Sequence, residues 1–277
     1  MTASSELRFA INHMAAPQLT LPAFFALART LGLSDVEIRN DIAGKPILDG
    51  TPAATVRAEA ARAGVTLLTI NALQRFNDWS AERERQAVEL AAYARDAGAE
   101  AIILVPTNDG SGREDGVRQQ RLGAALTALQ PILAEHGVTG LVEPLGFASC
   151  SLRLKREAID AIRAVGGDSF KVTHDTFHHH LAGEAEVFPE ITGLVHISGV
   201  EDPTLSAADM RDGHRVLVGP ADRLGNVAQL RRLRAGGYAG PISFEPFAEE
   251  LRHIADPAAG LENSIAFIAT KLAQAAV

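Results

Sequence analysis

Apolar runs of strand length alternate with longer segments of helical period along the whole chain. Such alternation is typical of βα units arranged around a parallel sheet. The sequence predicts eight strands, which are Leu7–Asn12, Asp35–Arg39, Thr66–Asn71, Ala101–Val105, Gly140–Glu143, Ser169–Asp175, Gly193–Ser198 and Pro241–Glu245. Eight units in 277 residues fit an α/β protein folded as a single (β/α)8 TIM barrel, which needs about 250 residues.

The segments between the predicted strands begin and end as helices do. Thr51-Pro52 places a capping residue before a proline at a first turn. Gly64, Gly98 and Gly137 stand where helices should end. Since no Pro-, Gly- or Ser-rich linker divides the chain, we expect a single TIM-barrel domain over residues 1–277.

One connection is too long for a plain βα loop. Between His196 and a helix that begins near Asn226 lies Val200–Gly225, a segment rich in Asp, Pro and Gly. Loops of this length are more often functional than incidental. We therefore expect an ordered excursion over the barrel mouth after strand seven.

Composition argues against several classes of protein. A formal net charge of −8 disfavours a nucleic-acid surface, which needs clustered Lys and Arg. The single cysteine, Cys150, excludes an intrachain disulfide and is compatible with a reducing cytosol. The polar segment Met1–Glu6 predicts no signal peptide, and the longest apolar run, Ala101–Val105, is too short to cross a membrane. We expect a cytoplasmic protein with neither nucleic acid nor membrane as a partner.

Four consecutive strands in the second half of the chain end in a residue that can bind a divalent cation. These residues are Glu143, Asp175, His196 and Glu245. A lone carboxylate after a strand is more often the cap of the next helix. In a parallel barrel, however, all strands end at the same face, and burying three carboxylates together is strongly unfavourable unless a cation neutralises them. The four positions together predict one metal site.

The ligand types restrict the metal. Three carboxylate oxygens and one imidazole are harder ligands than the thiolates or multiple histidines of structural zinc sites. Mn2+ is therefore the first choice, with Mg2+, Co2+ or Zn2+ as alternatives. Affinity alone can load another ion during purification.

The most distinctive string in the chain follows the sixth predicted strand and reads Asp175-Thr176-Phe177-His178-His179-His180. A short turn after the strand would let His178 reach the same pocket as Asp175. We therefore interpret His178 as a group that supports the site or binds substrate. Since three consecutive histidines cannot all face one site, His179 and His180 are interpreted as packing or solvent-facing residues.

Several of these motifs resemble the xylose-isomerase-like TIM-barrel superfamily of sugar isomerases and epimerases. The motifs are Glu143-Pro144-Leu145-Gly146, Asp175-Thr176-Phe177-His178, Val195-His196-Ile197, Arg215 ahead of Gly219, and Glu245 after Ile242-Ser243-Phe244. The resemblance covers essentially the whole chain. Within the superfamily, Phe147 after the first motif, the run of histidines and Val200-Glu201-Asp202-Pro203 are most similar to inosose isomerases, which act on keto-inositols.

The resemblance implies a two-base proton transfer. Glu143 and Glu245 would bind the metal and flank the substrate, one removing the proton beside the carbonyl and the other acting from the opposite side. The metal would polarise the substrate oxygens and stabilise an enediolate. His178 would hydrogen-bond a substrate oxygen, and Arg215 would hold a substrate hydroxyl or Glu143.

The first half of the chain adds candidates for the barrel mouth. Arg75 and Trp79 are interpreted as substrate-binding residues. Further polar candidates after the strands are Asn12, His13, Asn71 and Asn77.

Nucleotides and phosphorylated sugars are both disfavoured as ligands. The spacing of Gly110, Gly112 and Gly116 misses the dinucleotide fingerprint by one residue. Phosphate in such barrels is usually held by glycine-rich loops, whereas Glu245–Glu250 is acidic and bulky. We expect a neutral keto-polyol as the small-molecule partner.

Three alternatives use the same kind of barrel. A DNA-repair endonuclease would need more histidine ligands and a basic groove. A dehydratase of a cyclic keto acid such as 3-dehydroshikimate could use the same metal and proton abstraction, with Arg75 or Arg215 binding the acid. A non-catalytic sugar-binding protein would be favoured only if a ligand were missing. The sequence leaves the dehydratase open, and it leaves a homodimer or tetramer possible.

Overall fold

The computed structural model describes residues 7–45, 47, 49–254 and 256–274. Within these residues, eight parallel strands close into a barrel in the order in which they occur in the chain. They are β1 (Phe9–Asn12), β2 (Asp35–Arg39), β3 (Thr66–Gln74), β4 (Ala101–Val105), β5 (Thr139–Val142), β6 (Phe170–Asp175), β7 (Thr192–Ile197) and β8 (Ile242–Phe244). β1 pairs with both β2 and β8, which closes the barrel. The predicted (β/α)8 TIM barrel is confirmed, while Met1–Glu6, on which the prediction about a signal peptide rests, lies outside the described residues.

The outer layer consists of helices that follow the strands. They are α1 (Leu21–Thr30), α2 (Ala53–Ala63), α3 (Ala81–Ala97), α4 (Val117–His136), α5 (Lys155–Val165), α6 (Thr176–Ala182), α7 (Asn226–Ala235) and α8 (Pro257–Ala273). Gly64, Gly98 and Gly137 end α2, α3 and α4 as predicted, each in the left-handed conformation that glycine adopts most readily. Among the described residues, no helix combines the length and the apolar character needed to cross a membrane.

The barrel interior is apolar at one level and polar above it. Small and branched side chains, including Ala10, Leu68, Ile103 and Leu194, form one apolar cluster, separate from the larger core that includes the inner faces of the helices. Successive strand residues point to opposite faces of the sheet. In β2, Val36 and Ile38 belong to the outer core, so the charged residues that alternate with them point into the barrel.

The excursion after β7 is ordered. Gly199 forms an isolated antiparallel bridge with Val216, which closes the segment on itself. Three apolar side chains of the excursion, Val200, Met210 and Leu224, pack with Phe177 of α6 in a small cluster of buried residues. The excursion is therefore fixed to the helix that follows β6.

The loop after β5 also packs closely against α6. A Cβ atom at Gly146 would lie 2.2 Å from the carbonyl oxygen of His178 and 2.6 Å from the Cβ of Leu181. Only glycine allows this approach, which places the residues after Glu143 beside His178.

We predict that Gly146→Ala lowers the free energy of unfolding by about 1–3 kcal/mol, because the added methyl group overpacks a backbone contact. The matched control is Gly123→Ala in α4, where a Cβ would meet no described atom within 4 Å. Replacing that helical glycine with alanine should stabilise the protein by roughly 0.5–1 kcal/mol. Urea unfolding followed by circular dichroism measures both changes. Equal stability of Gly146→Ala and wild type would contradict the close packing of this loop.

Candidate active site

The four predicted ligands come together at the carboxyl ends of the strands. Glu143, Asp175, His196 and Glu245 are buried, and each offers one ligand atom within 4.8 Å of the others. His196 Nδ1 lies 2.8 Å from Glu143 Oε1, 3.2 Å from Glu245 Oε2 and 4.0 Å from Asp175 Oδ2. This arrangement can hold one metal ion.

The sheet positions two of the carboxylates just beyond the ends of their strands. β5 ends one residue before Glu143, and β8 ends one residue before Glu245. The N–H of Glu143 still donates to Leu104 of β4 at 3.1 Å, and that of Glu245 donates to Ile197 of β7 at 2.9 Å. Each glutamate is thus held as if its strand continued, and its side chain enters the barrel mouth.

Asp175 has two roles at once. It is the last residue of β6 and the N-cap of α6, where its Oδ1 accepts hydrogen bonds from the N–H groups of Phe177 and His178 at 2.7 and 3.1 Å. Its Oδ2 faces the cluster. Capping therefore orients this carboxylate and does not exclude it as a ligand.

The other ring nitrogen of His196 contacts Glu37 of β2, a residue that the sequence did not suggest. His196 Nε2 lies 3.1 Å from both carboxylate oxygens of Glu37. Glu37 also accepts hydrogen bonds from Thr69, Asn71 and Ser243. The only signal in the sequence is the alternation of charged and apolar residues along β2.

Two buried arginines contact Glu245. Arg39 Nη1 lies 2.7 Å from Glu245 Oε1, and Arg215 Nη2 lies 3.1 Å from Glu245 Oε2 and 2.6 Å from Asp175 Oδ2. The carbonyl oxygen of Arg215 accepts hydrogen bonds from the N–H groups of Phe247 and Ala248. The excursion therefore delivers Arg215 to the site despite its length, while Arg39 was not among the predicted residues.

These charges shift the ionisation of the cluster. Burial disfavours a charged His196, but Glu245, Glu37 and Glu143 raise the pKa of His196 well above its ordinary value. Burial raises the pKa of Glu143, against the opposing effect of His196. For Glu245, the effect of burial is outweighed by His196, Arg215 and Arg39, which hold the pKa of this carboxyl well below its ordinary value. The two glutamates proposed as bases thus have unequal surroundings.

A cavity of about 360 Å³ opens beside the cluster. Its lining includes Glu143, Glu245 and three of the four predicted substrate-binding residues, His178, Arg215 and Arg75. Nδ1 of His178 is buried and has no hydrogen-bond partner among the described residues. The His178 side chain therefore borders the cavity, while its Nδ1 atom is enclosed by protein.

The structure does not bring Trp79 to the cavity. Its ring is partly buried and packs against the main hydrophobic core. Trp79 immediately precedes Ser80, the N-cap of α3, and Asn77 is held by hydrogen bonds to Ser151 and to the N–H of Thr107. The indole therefore packs with the main core and does not line the cavity.

The other polar candidates from the first half divide in the same way. Asn12 donates to Glu245 Oε1 at 3.3 Å, and Asn71 donates to Glu37 at 3.0 Å. His13 stacks on Phe24 with ring centroids 4.4 Å apart, where burial lowers the pKa of His13 to about 4. Asn12 and Asn71 therefore support the site, and His13 packs in the core.

Both a family model and individual relatives match most of this chain. Residues 25–271 match the family described as xylose isomerase-like TIM barrel. An inosose isomerase of Bacillus licheniformis is 27% identical over 196 residues, which cover 66% of this chain and 68% of the relative. The similarity thus extends over most of both chains.

Solved structures share the whole fold. A xylose isomerase domain-containing protein from Salmonella typhimurium LT2 superposes with a TM-score of 0.88 at 37% identity, covering 96% of this chain and 97% of the other. An IOLI protein with a bound zinc atom superposes with a TM-score of 0.83 at 18% identity, covering 96% and 98%. At that lower identity the likeness concerns the fold alone.

We predict that Arg215→Met destabilises the protein by about 3–5 kcal/mol in the presence of EDTA, because two buried carboxylates lose a shared cationic partner. Added Mn2+ should recover part of this loss by neutralising the same carboxylates. The matched control is Arg75→Met, whose side chain is 42% exposed and whose ion pairs should contribute less than about 1 kcal/mol. Urea unfolding with and without Mn2+ measures these effects. Equal destabilisation by the two substitutions would contradict the role of Arg215 inside the cluster.

Proposed function

Because this chain belongs to the xylose isomerase-like TIM-barrel family, we propose that it is a divalent-metal-dependent isomerase or epimerase of an unphosphorylated keto-polyol such as 2-keto-myo-inositol. The observation that carries this proposal is the convergence of Glu143, Asp175, His196 and Glu245 beside a cavity. The similarity to an inosose isomerase supports the substrate class.

The donor set fits a hard or borderline divalent cation. Three carboxylates and one imidazole can each give one ligand atom from within a small buried cluster. We propose Mn2+ as the resident ion, with Mg2+, Co2+ or Zn2+ as alternatives, because oxygen-rich sites with one nitrogen ligand accept all of them.

Glu143 and Glu245 act as the pair of bases. They lie at the ends of β5 and β8, and both line the cavity, so a substrate bound there lies between two carboxylates. One removes the proton beside the carbonyl, and the other acts from the opposite side of the substrate. The bound cation would supply polarisation of the carbonyl and would stabilise the negative charge of the enediolate.

His178 and Arg215 orient the substrate. The His178 side chain borders the cavity, from where its imidazole can form a hydrogen bond with a substrate oxygen. The Arg215 guanidinium lies 5.0 Å from the ring centroid of Phe177 and 4.6 Å from that of Phe247, which fixes its plane. The N–H group of Arg215 that forms no hydrogen bond with a described residue donates to a hydroxyl group of the substrate.

The charges at the mouth favour a neutral substrate over 3-dehydroshikimate. Among the described residues that line the cavity, each arginine already has an aspartate partner. The pairs are Arg39 with Asp41, Arg75 with Asp109 and Asp78, and Arg215 with Asp212. An acidic substrate would have to displace one of these aspartates, whereas a polyol can share them as hydrogen-bond acceptors. The dehydratase remains the second candidate because Arg75 is partly exposed and its partners lie at the surface.

Three properties stay predictions from the sequence. We propose a keto-polyol as the partner, a cytoplasmic location, and a homodimer or tetramer formed through the outer helices and mouth loops.

We predict that the Mn2+-loaded protein converts 2-keto-myo-inositol into an isomeric ketone in deuterated water, with deuterium incorporated beside the carbonyl. NMR of the product detects both the isomer and the label, because the carboxylic acid that delivers the new proton carries a deuteron from the solvent. Loss of water from 3-dehydroshikimate under the same conditions, without reaction of the ketone, would transfer the assignment to the dehydratase.

The same assay tests the bases. Glu245→Gln should lower the exchange rate by about 10²-fold or more, since a positioned base contributes at least that factor, while circular dichroism shows an intact fold. The matched control is Glu250→Gln, an exposed carboxylate close by in the chain, which should keep full activity. Retained turnover in Glu245→Gln would show that another group is the base.

Metal binding should release about one proton near pH 7. The raised pKa of His196 keeps the imidazole protonated at this pH, and a metal ligand must be deprotonated. Affinity for Mn2+ should therefore fall as the pH is lowered, because protons compete for the ring. Isothermal titration calorimetry in buffers of different ionisation enthalpy counts the protons directly. A binding enthalpy that is independent of the buffer would contradict the raised pKa of His196.

A further inference from the structure

The charged face of β2 reaches the centre of the site although this strand contributes none of the four predicted ligands. Glu37 is completely buried, with 0% exposure, and Val36 and Ile38 on either side of it pack outward. A buried carboxylate is costly unless it is paired and hydrogen-bonded. An ionised Glu37 therefore needs a positively charged or hydrogen-bonding partner, and His196 is such a partner.

The carboxylate of Glu37 is fixed from three sides. Oε2 accepts a hydrogen bond from the hydroxyl group of Thr69 at 2.5 Å and one from the amide of Asn71 at 3.0 Å. Oε1 accepts a hydrogen bond from the hydroxyl group of Ser243. Thr69 and Asn71 belong to β3 and Ser243 to β8, so rigid strands hold the acceptor in place.

The opposite side of this carboxylate faces the imidazole. His196 Nε2 lies 3.1 Å from both oxygens of Glu37, whereas Nδ1 faces Glu143, Glu245 and Asp175. The surroundings of Glu37 offer it neutral donors only, apart from His196. Among the described residues that form hydrogen bonds with Glu37, the imidazole of His196 is therefore the one group that can carry a positive charge and balance the carboxylate.

We propose that Glu37 is a positioning residue that accepts the Nε2 proton of His196 and thereby fixes the tautomer whose Nδ1 lone pair binds the metal ion. In a neutral imidazole one nitrogen carries the proton and the other accepts. A carboxylate on Nε2 selects Nδ1 as the ligand, fixes the plane of the ring and increases its basicity. The inference rests on the proposed function only in that His196 is a metal ligand.

The test compares Mn2+ affinity, measured by electron paramagnetic resonance of the free ion, in wild type, Glu37→Gln and Asp35→Asn. Asp35 is a matched control, because it lies on the same strand and the same inward face, is buried and is bonded to Arg8 at the other end of the barrel. Loss of such an orienting carboxylate typically weakens metal binding about 10–100-fold. We expect a rise of the Kd for Mn2+ in this range for Glu37→Gln, and a change of less than about threefold for Asp35→Asn.

A purely structural role of Glu37 gives a different result. The visible absorption bands of the Co2+-saturated protein report the ligand field, and they should shift in Glu37→Gln but not in Asp35→Asn. If Glu37→Gln lowers the melting temperature while Mn2+ affinity and Co2+ spectrum match wild type, the proposal is overturned. If Glu37→Gln does not fold, Glu37→Asp replaces it, because the shorter side chain keeps the charge but moves the carboxylate away from His196 Nε2. We then expect a smaller rise of the Kd for Mn2+ and a smaller shift of the Co2+ absorption bands.

Failure of the proposed function is recognised separately. Wild-type protein that binds neither Mn2+ nor Co2+ would overturn the metal site itself, and the role of Glu37 with it. Wild-type binding combined with an unaffected Glu37→Gln would overturn the role of Glu37 alone.

Discussion

Carboxylates buried together at one end of a barrel demand positive charge, and the elements around the mouth of this protein supply it. Glu143, Asp175 and Glu245 are contacted by His196, Arg39 and Arg215, which come from three separate parts of the chain. Each of these groups would be costly to bury alone. Their mutual contacts explain why β2, β7 and the excursion all deliver charged residues to the same few ångströms.

The barrel makes this concentration of charge possible because its interior is divided by level. Toward one end, Ala10, Leu68 and Leu194 fill the interior with apolar groups. Beyond them, the strands change to polar inward residues such as Asn12, Glu37 and Ser243. Ser243 donates a hydrogen bond to Glu37, and Asn12 donates one to Glu245. These polar side chains are buried, so the interactions among them are stronger than they would be in solvent.

The sequence was sufficient for the barrel and for the four residues at the strand ends, since a parallel barrel brings the carboxyl ends of all strands to one face. It was insufficient for Glu37 and Arg39, because Glu37 lies two residues before the end of β2 and a guanidinium such as that of Arg39 does not bind a metal ion. The register of β2 with β3 is needed to show which level of the barrel their side chains reach. The alternation Asp35-Val36-Glu37-Ile38-Arg39 was the available signal, because strands of a parallel barrel are normally apolar on both faces. Trp79 was wrongly expected at the cavity. It is close in sequence to residues of the barrel mouth, but this does not determine whether its ring points to the cavity or to the core.

Asp175 shows why the structural and the functional interpretation of a strand-end carboxylate are compatible. One oxygen caps α6, and this fixes the rotation of the side chain so that the other oxygen faces His196 and Arg215. The same helix carries His178, whose carbonyl oxygen packs against Gly146. One short helix therefore sets the capping by Asp175, the packing of the loop after β5 and the position of the imidazole that lines the cavity. A change in α6 that preserved the cap but moved the loop would alter the cavity without altering the cluster.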